Sequence, residues 1–476
     1  MLLDTALQHL PSVLWTLLYA IPVLRYGPVV RLGPNHLSYT DVGAWKDIFG
    51  HRAGEHIKLQ ENPKSRMFYR DQIIDRSKTD ATNIIDADRE EHSRLRRAVA
   101  GGFSEKAMRE QEPVIAGYVD MLVDGIRRRS EKGEEVDIVK WYNWATFDVV
   151  GDLVFAESFG CLEGERGHPF VNLVTGLAAQ AAEFTAMKYA GLQKVPGFKW
   201  GLNKVVKFVA KDLFSEMQRV MGAKLQHRLE VKEERTDLFE GLMSKREEWN
   251  LDMNRLQANA AILAAAGSET TASLLTGVSF LLLQNPDAME KLKHEVRSSF
   301  NGVADITITS VGRLPYLLAC LNEGLRRYPP AVSNLPREVH EGGEMICGEF
   351  VPEETIVEVQ HYAMNHSSQH WHDPFAFKPE RWLNKVDSEL GEAKERGEKD
   401  ADGDRLEAMQ TFSVGPRNCV GRNLAYAEMR LIMARIIFEF DMELADQCRD
   451  WLKNARVYTI WEKEPLYVRF TPVKRG

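Results

Sequence analysis

Residues 412 to 425 read Phe412-Ser413-Val414-Gly415-Pro416-Arg417-Asn418-Cys419-Val420-Gly421-Arg422-Asn423-Leu424-Ala425. A single cysteine stands between two glycines, and an apolar helical pattern begins near Arg422 and continues to Ile436. The sequence therefore predicts a cysteine in a tight loop at a helix N-terminus, where unpaired backbone N–H groups stabilise an anion.

The chemistry predicted for this loop is that of a thiolate. The helix terminus should lower the pKa of Cys419 and prepare its sulfur to bind a metal or attack an electrophile. Gly415 and Gly421 let the backbone approach a flat ligand, and Arg417 is placed to hydrogen-bond an acid group on that ligand. The ordinary alternative is a half-buried structural cysteine.

A second pattern is a long apolar helix predicted over residues 258 to 283. It is interrupted by small and polar residues, Ala264-Ala265-Ala266-Gly267-Ser268-Glu269-Thr270-Thr271. Small side chains let a flat ligand lie against the helix, and a Glu-Thr pair in an apolar helix costs stability unless it is paired or functional. The alternative is a small-residue helix crossing with a capped kink.

A basic helix is predicted over residues 88 to 104, which end in two glycines and Phe103-Ser104. His92 and Arg96 are four residues apart and therefore share one face. That face either meets acid groups of the same ligand or is a solvated basic surface. A basic segment of this kind is more often exposed to solvent.

The pair Glu323 and Arg326 is a weak signal by itself, because three other Glu-x-x-Arg strings occur in the chain and such ion pairs are routine on helices. Its context is more specific. It precedes Tyr328-Pro329-Pro330 and is followed by Pro379-Glu380-Arg381-Trp382. Between them, β-branched residues alternate between turns over 331 to 337 and 342 to 355, which predicts a small sheet.

Composition is that of a globular body with room for a sizeable core, since 44% of the 476 residues are hydrophobic and 27% are charged. A net charge of −8 without long blocks of like charge gives no indication of nucleic-acid binding. Five widely spaced cysteines argue for a reducing compartment and against a disulfide framework, and they form no zinc-binding pattern.

The N-terminal segment 1–25 is apolar and holds two prolines. Its apolar run from 10 to 24 is shorter than the roughly 20 residues that span a bilayer as a helix, although Trp15 and Tyr19 suit a membrane interface. We expect a truncated membrane anchor or an interfacial helix, and the alternative is a segment packed on the protein body. Residues 26–476 are expected to form the catalytic domain.

Together, the Phe-x-x-Gly-x-Arg-x-Cys-x-Gly string, the Ala-Gly-x-Glu-Thr-Thr string and the Glu-x-x-Arg pair resemble the cytochrome P450 family. The resemblance implies the mainly α fold of that family with a small β-rich part. The phrases 26 to 35, 94 to 111 and 412 to 430 are most similar to filamentous-fungal P450s of secondary metabolism, the isotrichodermin 15-hydroxylase type.

The resemblance also implies roles for single residues. Cys419 would be the axial thiolate ligand of heme b, so it is the metal ligand. Thr270 would hydrogen-bond dioxygen at the haem and Glu269 would relay protons to it. Glu323 and Arg326 would pair with Arg381 to brace the fold behind the haem. The remaining cofactor-binding residues, mostly facing the haem propionates, would be Arg417, Arg96, His92, Arg337 and Phe412.

The activity implied is that of a monooxygenase that inserts one oxygen atom from O2 into a lipophilic compound such as a terpenoid or polyketide. Electrons would come from NADPH-cytochrome P450 reductase, and the chain would lie at the endoplasmic reticulum membrane with its catalytic domain facing the cytosol. Substrate-contacting segments are expected around 170 to 200, 258 to 270 and 331 to 335. Two rival hypotheses are a haem-thiolate isomerase or dehydratase that uses no reductase, and a defective, non-enzymatic product.

Overall fold

The computed structural model describes residues 27–51, 61–69, 82–170, 187, 197, 201, 218–231, 235–332, 335–383, 385, 403–458 and 460–474. The predicted apolar segment 1–25 lies outside these residues, as does most of the expected substrate-contacting stretch 170 to 200. Within the described ranges, no helix combines the length and the apolarity that crossing a membrane requires.

The fold is mainly helical with a small β-rich part, as predicted. Residues 218 to 230 are helical, and the helices with defined ends are α1 (Gly43–Phe49), α2 (Arg66–Tyr69), α3 (Arg89–Ala100), α4 (Glu105–Glu131), α5 (Ile138–Phe155), α6 (Cys161–Gly164), α7 (Glu240–Ser244), α8 (Met253–Gln284), α9 (Pro286–Ser299), α10 (Ile308–Val311), α11 (Pro315–Arg327), α12 (His361–Asn365), α13 (Arg422–Glu439) and α14 (Trp451–Asn454).

Eleven short strands are described: β1 (Val29–Gly33), β2 (His36–Tyr39), β3 (Val136–Asp137), β4 (Arg337–Glu338), β5 (Glu344–Ile346), β6 (Glu349–Val351), β7 (Ile356–Val359), β8 (Phe440–Leu444), β9 (Arg456–Val457), β10 (Trp461–Glu462) and β11 (Tyr467–Pro472). They form a four-stranded sheet in the order β1-β2-β7-β4, a three-stranded sheet in the order β3-β11-β8, and the pairs β5-β6 and β9-β10. Strands β1 and β2 form an antiparallel hairpin, and β2 pairs in parallel with β7.

Helix α8 is the central element of the core. It begins at Met253 because the Asp252 side chain accepts the N–H of Arg255, and it ends before Pro286, the first residue of α9. Its most extensive packing is against α5. The two helices are close at Gly267, where a Cβ atom would lie 3.1 Å from the Val150 side chain. The predicted helix is thus confirmed and extends five residues further toward the N-terminus.

A buried polar network braces α11 against the segment around Pro379–Trp382 and is called the brace below. Glu323 Oε1 accepts from Arg326 at 2.7 Å and lies 3.4 Å from the guanidinium of Arg381. Glu323 also accepts from the indole N–H of Trp382 at 2.9 Å. The predicted pairing of Glu323, Arg326 and Arg381 is therefore confirmed.

Asp404 completes the brace, although no sequence pattern indicates its role. Its two carboxylate oxygens accept from the guanidinium of Arg381 at 2.7 and 2.6 Å, and both side chains are buried. Since a charge-assisted hydrogen bond to a carboxylate stabilises a buried guanidinium, Asp404 balances the charge that Glu323 alone would leave uncompensated.

Candidate active site

The cysteine loop lies directly before α13, as the sequence predicts. Its tight turn depends on Gly415, whose φ is +77° and whose Cβ, if present, would lie 1.8 Å from the carbonyl oxygen of Phe49. The turn is closed by the N–H of Cys419, which donates to the carbonyl of Phe412 at 2.8 Å. Gly421 then caps α13, so the sulfur is held at the start of the helix by backbone contacts.

Cys419 is accessible to solvent in a stretch where most neighbouring residues are half-buried. Burial nevertheless raises the pKa of its thiol above the ordinary value, and the N–H of Gly421 and the charges of Arg96 and Arg422 offset this only in part. The prediction that the helix terminus lowers this pKa is therefore wrong for the chain by itself. Desolvation by the surrounding protein outweighs the helix terminus.

Phe412, predicted to bind the cofactor, packs along the first turns of α13. Its ring lies 5.4 Å from the ring of Tyr426, and the guanidinium of Arg422 lies 5.5 Å from its centroid. It is half-buried. Phe412 therefore borders the cysteine loop on the helix side.

Helix α3 brings His92 and Arg96 to the same loop. The Arg96 guanidinium donates to the Asn418 carbonyl and, at 2.6 Å, to the Asn418 side chain. His92 is buried, and its pKa is lowered to about 3 by burial and by the charges of Arg417, Lys64 and the arginines at 96 and 337. The alternative of a solvated basic face is thus wrong at these two positions, and His92 is neutral.

Arg417 and Arg337, both predicted to bind an acid group, are buried close to His92. Arg417 donates to Glu61 Oε1 at 2.6 Å and to the Ala87 carbonyl at 2.9 Å. Arg337 donates to the Asn62 carbonyl at 3.2 Å, and its Nε has no hydrogen-bond partner in the described part of the chain. Burial lowers the pKa of the Arg337 guanidinium, and the charge of Arg417 adds to this.

Lys64 belongs to the same group and was missed by the sequence reasoning. An isolated β-bridge pairs it with Arg337, its ammonium donates to the Ile85 carbonyl at 2.6 Å, and it lies 4.8 Å from the centre of the Tyr69 ring. Burial lowers the pKa of Lys64 to about 7, and the charges of Arg337 and Arg417 contribute. A lone lysine in a polar segment carries no local signal of this environment.

These cationic side chains, here named the cation cluster, are Lys64, Arg96, Arg337 and Arg417. The carboxylates that act on Lys64 are those of Glu61 and Asp86. Among the described residues, Arg417 donates to a carboxylate, whereas the other three cationic side chains donate to carbonyl groups or to an amide side chain. Because buried charges are costly unless paired, the cluster is suited to a ligand that carries acid groups.

Helix α8 supplies a second accessible surface. Most of its central residues are buried, but a stripe at helical spacing is exposed or half-exposed, consisting of Ile262, Ala265, Ala266 and Thr270. The Thr270 hydroxyl donates to the Ala266 carbonyl at 2.7 Å. A helix in the middle of a core exposes such a stripe only where it borders open space, and Thr270 is the polar group on it.

Glu269, predicted to act with Thr270, faces a different environment. Its carboxylate is buried and forms an ion pair with the Lys463 ammonium. Ser273, one turn further along α8, donates to the same carboxylate at 3.3 Å. The two predicted catalytic residues are therefore neighbours in sequence, but in this structure only Thr270 reaches the accessible stripe.

Comparison with known proteins agrees with this arrangement. Residues 25–470 match the model of the family Cytochrome P450. The chain is 42% identical over 450 residues to the cytochrome P450 monooxygenase tpeC of Talaromyces stipitatus, covering 94% of this chain and 83% of that protein. It is 39% identical over 455 residues to the trichothecene C-15 hydroxylase of Fusarium sporotrichioides, covering 94% of this chain and 86% of that protein.

Proposed function

The chain belongs to the cytochrome P450 family and is a monooxygenase that uses haem with an axial cysteine thiolate, and we propose that it oxidises a lipophilic product of fungal secondary metabolism. The observation that carries the proposal is the cation cluster, which Arg96 joins to the Cys419 loop through Asn418. The cationic side chains would pair with the two haem propionates, and the nearby Cys419 sulfur would bind the haem iron.

The residues present fit a haem in three respects. Cys419 is the most exposed cysteine among the described residues. Three members of the cation cluster have no described hydrogen bond to a carboxylate, so they can bind two propionates. At Gly421, a Cβ would lie 3.9 Å from the Cys419 sulfur and meet only ordinary contacts in the protein, so close approach of a flat ligand is a better reason for a glycine there than packing is.

Haem would be held by Cys419 through the iron and by Arg96, Arg337, Arg417 and Lys64 through its propionates. Since burial raises the pKa of the Cys419 thiol in the chain alone, the positive charge of the iron would be what keeps the sulfur deprotonated. Once bound, the haem supplies dioxygen activation, helped by electron donation from the thiolate.

The chain's own part in the reaction is to orient the substrate and to deliver protons. The apolar members of the α8 stripe would contact the substrate, which favours a lipophilic compound. Thr270 would hold a proton at its hydroxyl on this stripe, in place of its present hydrogen bond to the Ala266 carbonyl. Glu269 would return protons to it from solvent.

The substrate class proposed is a terpenoid or a polyketide. It is supported by the apolar stripe and by the relatives, one of which is named for the hydroxylation of trichothecenes. The donor proposed for the electrons is NADPH-cytochrome P450 reductase. We further propose that the protein works at the endoplasmic reticulum membrane with residues 26–476 facing the cytosol.

Three arginines of helix α3, at positions 94, 96 and 97, are candidates for docking an acidic reductase, and their surroundings differ. Arg96 faces inward to Asn418. Arg94 pairs with Glu91 at 3.0 Å and lies 4.8 Å from the centre of the Trp249 ring. Arg97 is exposed, so it is the arginine of these three most suited to meet a partner.

The experiment that tests the function is a carbon monoxide difference spectrum of the reduced protein, followed by turnover with NADPH, the reductase and candidate terpenoids. A strongly red-shifted Soret band and NADPH-dependent product are expected. Product that forms without NADPH would favour the isomerase or dehydratase alternative, and a protein that retains no haem would contradict the proposal.

A matched variant tests the role of Thr270. We expect Thr270→Ala to keep the red-shifted band and to consume NADPH, but to release more peroxide for each NADPH, because the accessible stripe then lacks its hydroxyl. The neighbouring Thr271→Ala is the control, since the Thr271 hydroxyl donates to the Gly267 carbonyl and the residue is buried. Equal peroxide yields from the wild type and Thr270→Ala would remove Thr270 from proton delivery.

A further inference from the structure

A buried ion pair joins the C-terminal region to the middle of α8. The Lys463 ammonium contacts Glu269 Oε1 and donates to the Ser273 hydroxyl at 2.7 Å. The side chains of Lys463 and Glu269 are 4% and 3% exposed. A pair this deeply buried gains little net stability, because the desolvation of two charges offsets their attraction. Its presence therefore calls for a reason other than stability.

The surroundings of Glu269 offer no second cation within the described part of the chain. Ser273 contributes a hydroxyl, and Tyr328 contributes a buried hydroxyl that has no hydrogen-bond partner there. Burial raises the pKa of Tyr328 well above its usual range, and the negative charge of Glu269 adds to this. Glu269 Oε2 is also buried without a partner. Lys463 is thus the counter-ion of Glu269 among the described residues.

The position of Lys463 is fixed by the strand that precedes it. Trp461 of β10 stacks on Tyr328 with ring centres 4.3 Å apart and donates to the Pro329 carbonyl at 2.8 Å. Ile460 forms an isolated β-bridge with Ala331. The ammonium is therefore held at Glu269 by contacts with residues 328 to 331, next to the segment expected to meet the substrate.

We propose that Lys463 is a positioning residue for proton delivery, which holds the Glu269 carboxylate ionised inside the core and ready to take a proton from water. The pair must open for Glu269 to pass that proton to the Thr270 hydroxyl, whose own proton moves on toward the dioxygen that is being reduced. This inference rests on the proposed function, because it takes Glu269 and Thr270 as the proton path.

The first test does not depend on haem. Without its counter-ion, a buried carboxylate takes up a proton, since an unpaired buried charge is costly. Buried Glu428, whose pKa burial raises well above its usual range, should give a protonated-carboxyl band in every variant. Infrared difference spectra at neutral pH, variant minus wild type, should therefore show an added protonated-carboxyl band for Lys463→Met and none for Lys463→Arg or for the double variant Lys463→Met with Glu269→Gln. If Lys463→Met lacks this added band, Lys463 does not keep Glu269 ionised and the proposal is overturned.

The second test follows coupling in protein that retains the red-shifted carbon monoxide band. Lys463→Met should release several-fold more peroxide for each NADPH than the wild type, Lys463→Arg should restore the wild-type yield, and adding Lys463→Met to Glu269→Gln should change nothing further. The control is Lys453→Met, which removes an exposed lysine of the same region that pairs with Asp450.

The two tests separate the possible failures. A wild-type protein without a thiolate-type carbon monoxide band contradicts the proposed function, while the infrared comparison still decides whether Lys463 holds Glu269 ionised. A normal wild-type band together with unchanged peroxide in Lys463→Met contradicts the positioning role alone. Peroxide increases that multiply in the double variant also contradict it, because two residues of one path act as a unit.

Discussion

Arg326 of the brace and Arg337 of the cation cluster are both buried, but only Arg326 is fully satisfied by hydrogen bonds within the described protein. Arg326 donates through all five of its N–H groups, twice to Glu323 and once each to the carbonyls of Asn365, Pro374 and Ala376, at 2.7 to 2.9 Å. Arg337 is equally buried, yet it makes one described hydrogen bond and its Nε has no described partner.

This difference distinguishes an arginine that stabilises the fold from one that is suited to bind a ligand. A guanidinium whose N–H groups all donate within the protein has no donor for another molecule, so substituting this arginine lowers the stability of the fold. An unsaturated guanidinium among like charges destabilises the chain alone and becomes favourable when an anion arrives. Four substitutions test the contrast.

The largest effect is expected in the brace. Arg326→Ala should lower the free energy of unfolding by about 3–5 kcal/mol, because it leaves the Glu323 carboxylate buried without its main partner. Urea denaturation of the haem-loaded protein measures this loss. The control is Lys291→Ala, which breaks an exposed pair with Glu380 and should leave the denaturation midpoint unchanged. Similar midpoints for both variants would show that the brace carries no special stability.

Cys419→Ala should abolish the thiolate-type carbon monoxide band while leaving the fold intact. The cysteine loop is held by backbone contacts of Gly415 and Phe412, so the missing sulfur removes the ligand and not the turn. Difference spectra and circular dichroism measure the two properties separately. The buried Cys320→Ala is the control and should keep the band. A normal thiolate-type carbon monoxide band in Cys419→Ala would contradict the assignment of Cys419 as the iron ligand.

Arg337→Gln should weaken haem binding by about ten- to a hundredfold, since a hydrogen bond to a charged group contributes about 1.5–3 kcal/mol. The stability of the haem-free chain should stay equal or rise, because a partly unsatisfied buried cation has been removed. Haem titration and urea denaturation of the haem-free protein measure the two effects. A strongly destabilised haem-free variant would place Arg337 with the brace instead.

The smallest effect is expected from Lys64→Met, in the pH dependence of the haem-free protein. The pKa of Lys64 falls from 10.5 to about 7 on folding, so between those values the unfolded chain binds a proton that the folded chain lacks. Stability supplied by this group therefore rises with pH from about 7 to about 10.5.

The measurement is the difference in unfolding free energy between wild type and Lys64→Met across that pH range. It should change with pH in the haem-free protein and flatten when haem is bound, because propionates restore the charge of Lys64. A flat difference without haem would mean that Lys64 keeps its ordinary pKa and is not part of the cluster.

The sequence was sufficient for the elements whose signal is local. The cysteine loop, α8 with its small residues and the His92 face of α3 all follow from spacing and turn residues, and the structure confirms their positions. The binding roles of the site residues stay predictions, and segment 1–25 lies outside the described residues.

Residues placed by distant pairing escaped sequence reasoning. Lys64 enters the site because a bridge sets it beside Arg337, and Lys463, the residue after β10, reaches Glu269 from 194 positions away. Asp404 likewise meets Arg381 only in the folded chain. The wrong pKa direction predicted for Cys419 has the same origin. The sequence indicates the helix terminus, which lowers the pKa, but it does not indicate the burial that raises the pKa by more.

The parallel pairing of β2 with β7 has a consequence for synthesis. Tyr39 and Val359 are register partners, so 320 residues (359 − 39) must be added after Tyr39 before its partner exists. At about 5–20 residues per second, a ribosome needs roughly 16–64 s for this. During that time β2 has an unpaired edge, which Lys, Pro or a chaperone commonly protects in other proteins. We therefore expect the first sheet to be completed only after α8 and the brace helix α11 have been synthesised.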